Sequence, residues 1–317
     1  MSDIRCDCLI VQPIAKSAIR MLEETGLVVH TAASTAFVDL EPYLAVATAV
    51  ITRNHGLSAR EIEAAPNLKV VGVHGTGTDK VHKPSLAARG IPLHNTPGAN
   101  AQSVAELVIG LALACSRSLI AADNASRTGD TLFRQHHRTY ELSGRRLGLF
   151  GYGHIAKLVA KLGQAFGMEV ATVSRYTPAE ELQRDGITLL PDLDSLCEWA
   201  DVVSLHGIPE EKPLIDARRL SLIGKTGILI NTARGALIDE DALATALKDG
   251  IIAGAGLDVL VVEPITADNP LLNCPNLVLT PHIGGSTDEA LEKTGFQVAS
   301  KVLAELAALE RIPATGT

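Results

Sequence analysis

The feature that constrains this chain most is a Gly-Tyr-Gly turn near its middle. The apolar run 147–150 stops at Gly151, and apolar residues at helical spacing begin two residues after Gly153, with Ile155. A helix that starts at such a turn directs its free N–H groups and the positive end of its dipole toward an anion. Gly151 permits the turn, Gly153 allows phosphates to approach the backbone, and the small Ala156 lets helix and strand pack closely. The pattern predicts a dinucleotide-binding site.

On both sides of this turn, short apolar runs alternate with helical patterns. With 317 residues, 46% of them hydrophobic and 20% charged, the chain can form two domains with substantial cores. The alternation predicts an α/β protein with two doubly wound parallel-sheet (Rossmann-like) domains and a cleft between them. A turn segment at 95–100, and a helix at 288–310 after the last strand, predict that one domain is discontinuous. We expect one domain at 1–98 plus 287–317, and the dinucleotide-binding domain at 99–286.

Local patterns make two further predictions. Ser58 is followed three residues later by Glu61, which predicts a capping box at the start of a helix. The Ala- and Leu-rich stretch 101–126 predicts one long helix. Because its apolar residues face too many sides for a lone surface helix, we expect it to form the interface of a homodimer.

Charge and apolar patterning exclude several classes of partner. The formal net charge is −8 and the basic residues are scattered, whereas a nucleic-acid surface needs a basic stripe. No apolar stretch reaches the roughly 20 residues that a bilayer requires, and the first residues do not resemble a signal peptide. Cys6 and Cys8 are interpreted as small core residues, because nothing nearby completes a metal site. We expect a cytoplasmic, reduced protein without a metal site and without nucleic-acid or membrane partners.

The strand after the glycine turn indicates which dinucleotide binds. About 20 residues past the glycines, an acidic residue normally binds the ribose 2′-hydroxyl of NAD. This position holds Ser174, followed by Arg175 and, two residues later, Thr177. No carboxylate repels a 2′-phosphate there, and Arg175 can pair with one while the two hydroxyls assist. The alternative is an exposed loop arginine. The pattern favours NADP as the cofactor, with NAD as the other candidate.

Three later strands each end at a residue that can take part in catalysis. Arg234, Glu263 and His282 all follow predicted strands. In an open parallel sheet, residues just past the carboxyl ends of the strands line the ligand crevice. Taken singly, they could be a surface arginine, an acid at a helix start and a satisfied core histidine. Their joint placement at the cofactor's edge of the sheet instead indicates a hydride-transfer site with a proton donor.

Together these stretches resemble a known family, the D-isomer-specific 2-hydroxyacid dehydrogenases, over nearly the whole chain. The stretches that carry the resemblance are the glycine turn, Asn95-Thr96-Pro97-Gly98-Ala99-Asn100, Asn231-Thr232-Ala233-Arg234-Gly235, Asp258-Val259-Leu260-Val261-Val262-Glu263-Pro264 and Thr280-Pro281-His282-Ile283-Gly284-Gly285. The segment 282–290 is most similar to the phosphoglycerate dehydrogenase branch, here expected without a regulatory domain. Three positions depart from the family pattern: Val261 replaces a usual acid, Ala156 a glycine, and Ser174 with Arg175 a usual aspartate.

The resemblance implies a role for each matching residue. His282 would protonate the carbonyl oxygen as hydride arrives, and Glu263 would orient the imidazole and favour its charged form. Arg234 would bind the substrate carboxylate and polarise the carbonyl. The substrate-binding domain would be 1–98 plus 287–317, with substrate contacts at Arg53, Asn54, Gly75, Thr76 and Gly77. The cofactor-binding positions would be Ser103, Val104, Gly151, Gly153, His154, Ile155, Ser174, Arg175, Thr177, His206, Pro209, Thr232, Asp258 and Gly284.

The resemblance therefore implies an oxidoreductase that transfers a hydride between NADPH and a small 2-ketoacid or D-2-hydroxyacid. Hydroxypyruvate, glyoxylate and 3-phosphohydroxypyruvate are the candidate substrates. The alternative is a nucleotide-sensing, corepressor-like binding protein on the same fold, and a hydrolase that holds NAD would need long insertions. The three residues Arg234, Glu263 and His282 favour the enzyme.

Overall fold

The computed structural model describes residues 4–310, which form two compact units. The first unit contains the residues up to Asn100 together with those from Gly285 onward, and the second unit is Ala101–Gly284. The chain therefore passes between the units twice, after Asn100 and after Gly284.

The first unit is built on a five-stranded parallel sheet with the order β2-β1-β3-β4-β5. Its strands are β1 (Cys8–Ile10), β2 (Val29–Thr31), β3 (Ala49–Thr52), β4 (Val70–Val73) and β5 (Leu93–His94). Its helices are α1 (Lys16–Glu23), α2 (Phe37–Leu44), α3 (Ala59–Glu63), α4 (Lys83–Ala88) and α13 (Asp288–Glu310). Strands β1, β3 and β4 are buried throughout, as expected for a parallel sheet covered on both faces. The strand order reverses between β1 and β3, so the switch point of this sheet lies there.

The second unit is built on a seven-stranded parallel sheet with the order β12-β11-β10-β9-β6-β7-β8. Its strands are β6 (Arg146–Phe150), β7 (Glu169–Val173), β8 (Thr188–Leu189), β9 (Val202–Leu205), β10 (Ile228–Asn231), β11 (Gly254–Leu257) and β12 (Leu277–Leu279). Its α-helices are α5 (Ala101–Ser116), α6 (Leu119–Thr128), α7 (Phe133–His136), α8 (His154–Ala165), α9 (Ala179–Arg184), α10 (Leu193–Trp199), α11 (Ala217–Ile223) and α12 (Glu240–Lys248). The strand order reverses between β6 and β9.

Two parallel sheets with covering helices confirm the predicted Rossmann-like fold class. The capping box is also confirmed: the Ser58 side chain accepts from the backbone N–H of Glu61, and the Glu61 side chain accepts from that of Ser58. The single helix expected at 101–126 is wrong, because α5 and α6 are separate helices at 54° to each other. Ser118, between them, has a φ of +47°, and this left-handed conformation interrupts the helical ladder.

Within the described residues, no individual helix combines the length and apolar character that a membrane crossing requires. Helices α5 and α6 reach that threshold only when taken together across their bend.

Candidate active site

The glycine turn leads from β6 directly into α8. Gly151 has a φ of +94°, and a Cβ at this residue would lie 3.1 Å from the His206 carbonyl oxygen, so a side chain is disfavoured on both counts. Gly153 is the N-cap of α8 and faces open space. Because glycine offers no capping side chain, the first N–H groups of α8 are open to an anion. His154 and Ile155, both predicted cofactor contacts, are the first two residues of this helix.

His206 directly follows strand β9, which lies on the other side of the switch point. Its Nε2 lies 3.0 Å from the Ser204 hydroxyl oxygen, and burial lowers the pKa of His206 to about 4. The imidazole is therefore neutral near pH 7 and adds no charge beside the glycine turn. Pro209, three residues farther on, is exposed.

A buried hydroxyl next to the neighbouring strand end supports the presence of a bound cofactor. Thr232 follows β10, and its Oγ1 is buried without a hydrogen-bond partner among the described residues. Buried polar atoms in folded proteins almost always have partners, so this hydroxyl has a hydrogen bond to offer to a bound group or to water. The open helix N-terminus and this hydroxyl, at the same edge of one sheet, fit a nicotinamide dinucleotide.

The predicted 2′-phosphate contacts follow β7. The hydroxyl oxygens of Ser174 and Thr177 are 2.7 Å apart and hydrogen-bond to each other. The Arg175 side chain is 76% exposed, and its Nη1 lies 3.7 Å from Oε1 of Glu210. The sequence gives no signal for this carboxylate partner, because Glu210 lies in the irregular segment after β9. Arg175 is thus free to rotate toward a phosphate but has a competing anion nearby.

The catalytic candidates follow β10, β11 and β12, three adjacent strands. His282 Nδ1 lies 2.9 Å from Glu263 Oε2, and the two side chains are 30% and 24% exposed. Because a carboxylate only accepts, His282 donates from Nδ1, which directs Nε2 away from Glu263. Glu263 Oε1 in turn accepts from the Leu260 backbone N–H at 3.1 Å. The structure thus brings together the two residues that the sequence predicts as proton donor and orienting acid.

The backbone of His282 is held in a conformation that few residues adopt. Its φ is +55°, in the left-handed region, and its N–H is shared between the carbonyl oxygens of Asp258 and Thr280 at 2.9 and 3.0 Å. Non-glycine residues in this region are strained and cluster at functional sites.

Asp258 holds the loop that carries His282. It is 2% exposed, and its carboxylate accepts hydrogen bonds from Thr280 Oγ1 at 2.6 Å and from the N–H groups of Ile283 and Gly284 at 2.8 Å each. A Cβ at Gly284 would lie 2.9 Å from Asp258 Oδ2, so a side chain there would displace the carboxylate. The sequence places Asp258 among the cofactor contacts, but does not indicate this network.

Two more predicted cofactor contacts lie on α5 beside that network. Ser103 Oγ donates to the Gly284 carbonyl oxygen at 2.5 Å. Val104 is buried, and its Cγ2 would lie 3.4 Å from a Cβ built on Gly284. These contacts join the start of α5 to the end of the His282 loop.

Arg234 lies in a turn that packs tightly against the Glu263 loop. Its Nη1 donates to the Ala233 carbonyl oxygen at 2.6 Å, and its own carbonyl oxygen accepts from Asn231 Nδ2 at 2.8 Å. A Cβ at Gly235 would lie 2.0 Å from the Leu260 carbonyl carbon, so only glycine allows this approach. Gly235 therefore fixes the spacing between the turn that carries Arg234 and the loop that carries Glu263, a role that the sequence does not reveal.

The predicted substrate residues all lie in the first unit, after β3 and β4. Arg53 and Asn54 follow β3, and Gly75, Thr76 and Gly77 follow β4 by one residue, His74. The two strands are neighbours, and the His74 N–H donates to the Thr52 carbonyl oxygen at 2.8 Å. The Gly75 N–H donates to Thr96 Oγ1 at 3.0 Å, which anchors the glycine loop. The structure thus places these five residues at adjacent strand ends.

Fold and site together are those of a Rossmann-type dinucleotide-binding protein. A family model described as "D-isomer specific 2-hydroxyacid dehydrogenase, NAD binding domain" matches residues 109–284. The chain belongs to the D-isomer-specific 2-hydroxyacid dehydrogenase family.

Several relatives and one solved structure show this similarity. The chain is 37% identical over 296 residues to D-3-phosphoglycerate dehydrogenase of Methanocaldococcus jannaschii, covering 93% of this chain but only 56% of that relative. It is 38% identical over 255 residues to hydroxypyruvate reductase of Thermotoga maritima, covering 79% of this chain and 81% of that relative. The crystal structure of NADPH-dependent glyoxylate/hydroxypyruvate reductase of Sinorhizobium meliloti, with NADP and malonate, superposes with a TM-score of 0.80 at 30% identity. That similarity covers 96% of this chain and 94% of that one.

Proposed function

We propose that this protein transfers a hydride between a nicotinamide dinucleotide and a small 2-ketoacid or D-2-hydroxyacid. The observation that carries the proposal is the His282–Glu263 hydrogen bond at 2.9 Å, at the same sheet edge as the glycine turn. A histidine with one nitrogen bound to a carboxylate is oriented to exchange a proton from the other nitrogen. The family relationship supports the same reaction class.

The proposed mechanism assigns separate tasks to the chain's own residues. A bound dinucleotide would supply the hydride in reduction and accept it in oxidation. In reduction, His282 Nε2 donates a proton to the carbonyl oxygen, and in oxidation it removes that proton. The Glu263 carboxylate keeps the ring in place through Nδ1, and the Arg234 guanidinium stabilises negative charge that develops on the carbonyl oxygen. The N–H groups of Thr76 and Gly77 hold the substrate carboxylate.

The two units take different parts in this proposal. The second unit carries the glycine turn, Thr232 and the His282–Glu263 pair, so it serves as the dinucleotide-binding domain. The first unit carries the Arg53 turn and the 75–77 loop, so it serves as the substrate-binding domain.

The proposed cofactor is NADPH, because Ser174 leaves no carboxylate at the ribose position and Arg175 is exposed. The relative from Sinorhizobium meliloti is itself NADPH-dependent.

A panel of 2-ketoacids tests the proposal. The protein should be assayed with NADH and with NADPH against five ketoacids: glyoxylate, hydroxypyruvate, pyruvate, 3-phosphohydroxypyruvate and sulfopyruvate. Oxidation of the cofactor is followed by its absorbance. We expect turnover of at least one ketoacid, and faster turnover with NADPH. Tight dinucleotide binding without turnover of any ketoacid would instead support the corepressor-like alternative.

We also propose that the protein is a cytoplasmic homodimer that associates through α6 and the segment after it. Its five cysteines are free, which suits a reducing compartment. Leu119, Ile120 and Leu132 are 49%, 62% and 52% exposed, an apolar group that burial in an interface would remove from water.

Light scattering at micromolar concentration should therefore report a dimer. The variant Ile120→Glu should shift the mass toward the monomer, because it places a charge in the proposed interface. Val38 on α2, 71% exposed, offers the matched control: Val38→Glu should leave the mass unchanged. A monomeric wild type would contradict the dimer.

A further inference from the structure

The turn that carries Arg53 lies at the switch point of the first sheet. It follows β3, and two of its groups bind residues that follow β1, the strand across the reversal. Arg53 Nη1 donates to the Pro13 carbonyl oxygen at 2.9 Å, and the His55 N–H donates to Gln12 Oε1 at 2.7 Å. In open α/β sheets, ligands bind at this point. The conformation of this turn therefore decides what a ligand would meet.

A histidine–glutamate pair holds the turn from one side. His55 Nε2 donates to Glu61 Oε1 at 2.7 Å, and the other carboxylate oxygen accepts from the Ser58 N–H and hydroxyl at 2.6 and 2.7 Å. The Glu61 side chain is only 5% exposed. Burial acts to raise the pKa of Glu61, but hydrogen bonds from His55 and Ser58 outweigh it and lower this pKa below its ordinary value. The carboxylate is thus a buried, charged anchor for the imidazole.

Close packing holds the same turn from its other end. Gly56 has a φ of +82°, and a Cβ there would lie 2.1 Å from the Lys80 carbonyl oxygen. The Gly56 carbonyl oxygen accepts from the buried Thr52 Oγ1 at 2.6 Å. Between these fixed ends lie Arg53, which is half-buried, and Asn54, which is exposed.

His74, at the end of the neighbouring strand β4, does not add a positive charge to that of Arg53. Burial and the neighbouring charge of Arg53 lower the pKa of His74 to about 4, so its imidazole is neutral near pH 7. Arg53 therefore supplies the positive charge at this pair of strand ends, and its position depends on the turn.

We propose that His55 and Glu61 are positioning residues that fix Arg53 and Asn54 for recognition of the substrate's C3 substituent. The inference rests on the proposed function, in which the 75–77 loop holds the carboxylate and the Arg53 turn of the same unit meets the far end of the substrate. The pair does not touch the reacting atoms. Its loss should weaken recognition of ketoacids that have a C3 group and spare glyoxylate, which has none.

Three variants of His55 separate positioning from folding. His55→Leu removes the hydrogen bond to Glu61, His55→Asn is polar but too short to reach it, and His55→Gln restores an N–H donor at a similar distance. The matched control is His94→Leu, because His94 Nε2 bonds Glu305 Oε2 at 3.0 Å in the same unit, with side chains that are 30% and 29% exposed. The measurement is kcat and KM for hydroxypyruvate and for glyoxylate, at saturating NADPH.

The ratio of kcat/KM for hydroxypyruvate to that for glyoxylate should fall by about 10- to 100-fold in His55→Leu and His55→Asn, mainly through KM, because misplacing a positioning group by about 1 Å costs up to about 10²-fold. His55→Gln should recover most of the ratio, and His94→Leu should keep it. An unchanged ratio in His55→Asn, or an equal fall in His94→Leu, would overturn the role of His55 while leaving the proposed function intact. A wild type that turns over no ketoacid of the five-member panel would overturn both.

Discussion

Replacing His282 with alanine is expected to lower turnover of a 2-ketoacid by about 10²- to 10⁴-fold, the usual effect of losing a positioned general acid. Glu263 orients the imidazole through the hydrogen bond of 2.9 Å between Nδ1 and its Oε2, and alanine leaves no proton donor in place of the imidazole. Dinucleotide affinity should change little, because Asp258 holds the loop through Thr280 and through backbone N–H groups rather than through the imidazole.

Steady-state kinetics and a fluorescence titration with NADPH distinguish these two effects. His136, on the short helix α7, offers a matched control: it is exposed, and His136→Ala should keep wild-type turnover. A loss of less than tenfold in His282→Ala would show that another group donates the proton.

The second large effect concerns the choice of cofactor. If Arg175 binds the 2′-phosphate, its hydrogen bond to a charged group contributes about 1.5–3 kcal/mol. At about 1.4 kcal/mol for each tenfold change in affinity, wild type should prefer NADPH by roughly 10- to 150-fold. Arg175→Ala should lower NADPH affinity to the level of NADH, and leave NADH affinity unchanged.

The ion pair of Arg175 with Glu210 allows a second test of the same cofactor preference. Glu210→Gln should raise the preference for NADPH, because it removes the anion that competes with the phosphate 3.7 Å from Nη1. Arg184 at the end of α9 is 70% exposed and pairs with Glu181 and Asp185, so Arg184→Ala is the matched control and should leave both affinities unchanged. Equal affinity for both cofactors in wild type, or a preference that survives Arg175→Ala, would contradict the role of Arg175.

Features that depend on the direction and spacing of strands could be predicted from the sequence. Parallel strands deliver the residues after them to one edge of a sheet, which is why Glu263 and His282 could be expected to lie close together. The glycine turn likewise predicts a strand and a helix on either side of it. The capping box shows that a local pattern also succeeds when all its partners lie within four residues of sequence, as Ser58 and Glu61 do.

Features that depend on contacts between distant segments could not be predicted. Two such contacts are the approach of Gly235 to the Leu260 carbonyl group and the pairing of Arg175 with Glu210. No helical or strand periodicity in the sequence relates the segments that these contacts join. His282 adopts a positive φ because Asp258 and Thr280 accept its N–H from two sides, and no local preference of the sequence shows this. The second partner of Glu61, His55, is only six residues away but lies outside the capping box, which explains one oxygen of Glu61 while His55 binds the other.

The discontinuous first unit has a consequence for folding during synthesis. Val298, Ala299 and Val302 of α13 are fully buried against its sheet, and Gly72 in β4 lets this helix approach so closely that a Cβ there would lie 2.6 Å from Val298. The strands of this sheet therefore leave the ribosome long before the helix that covers one of their faces. The second unit, Ala101–Gly284, is contiguous and has no such delay. We expect it to fold first on the nascent chain, while the part of the first unit's apolar face that α13 covers beside α1 stays exposed to aggregation until α13 emerges.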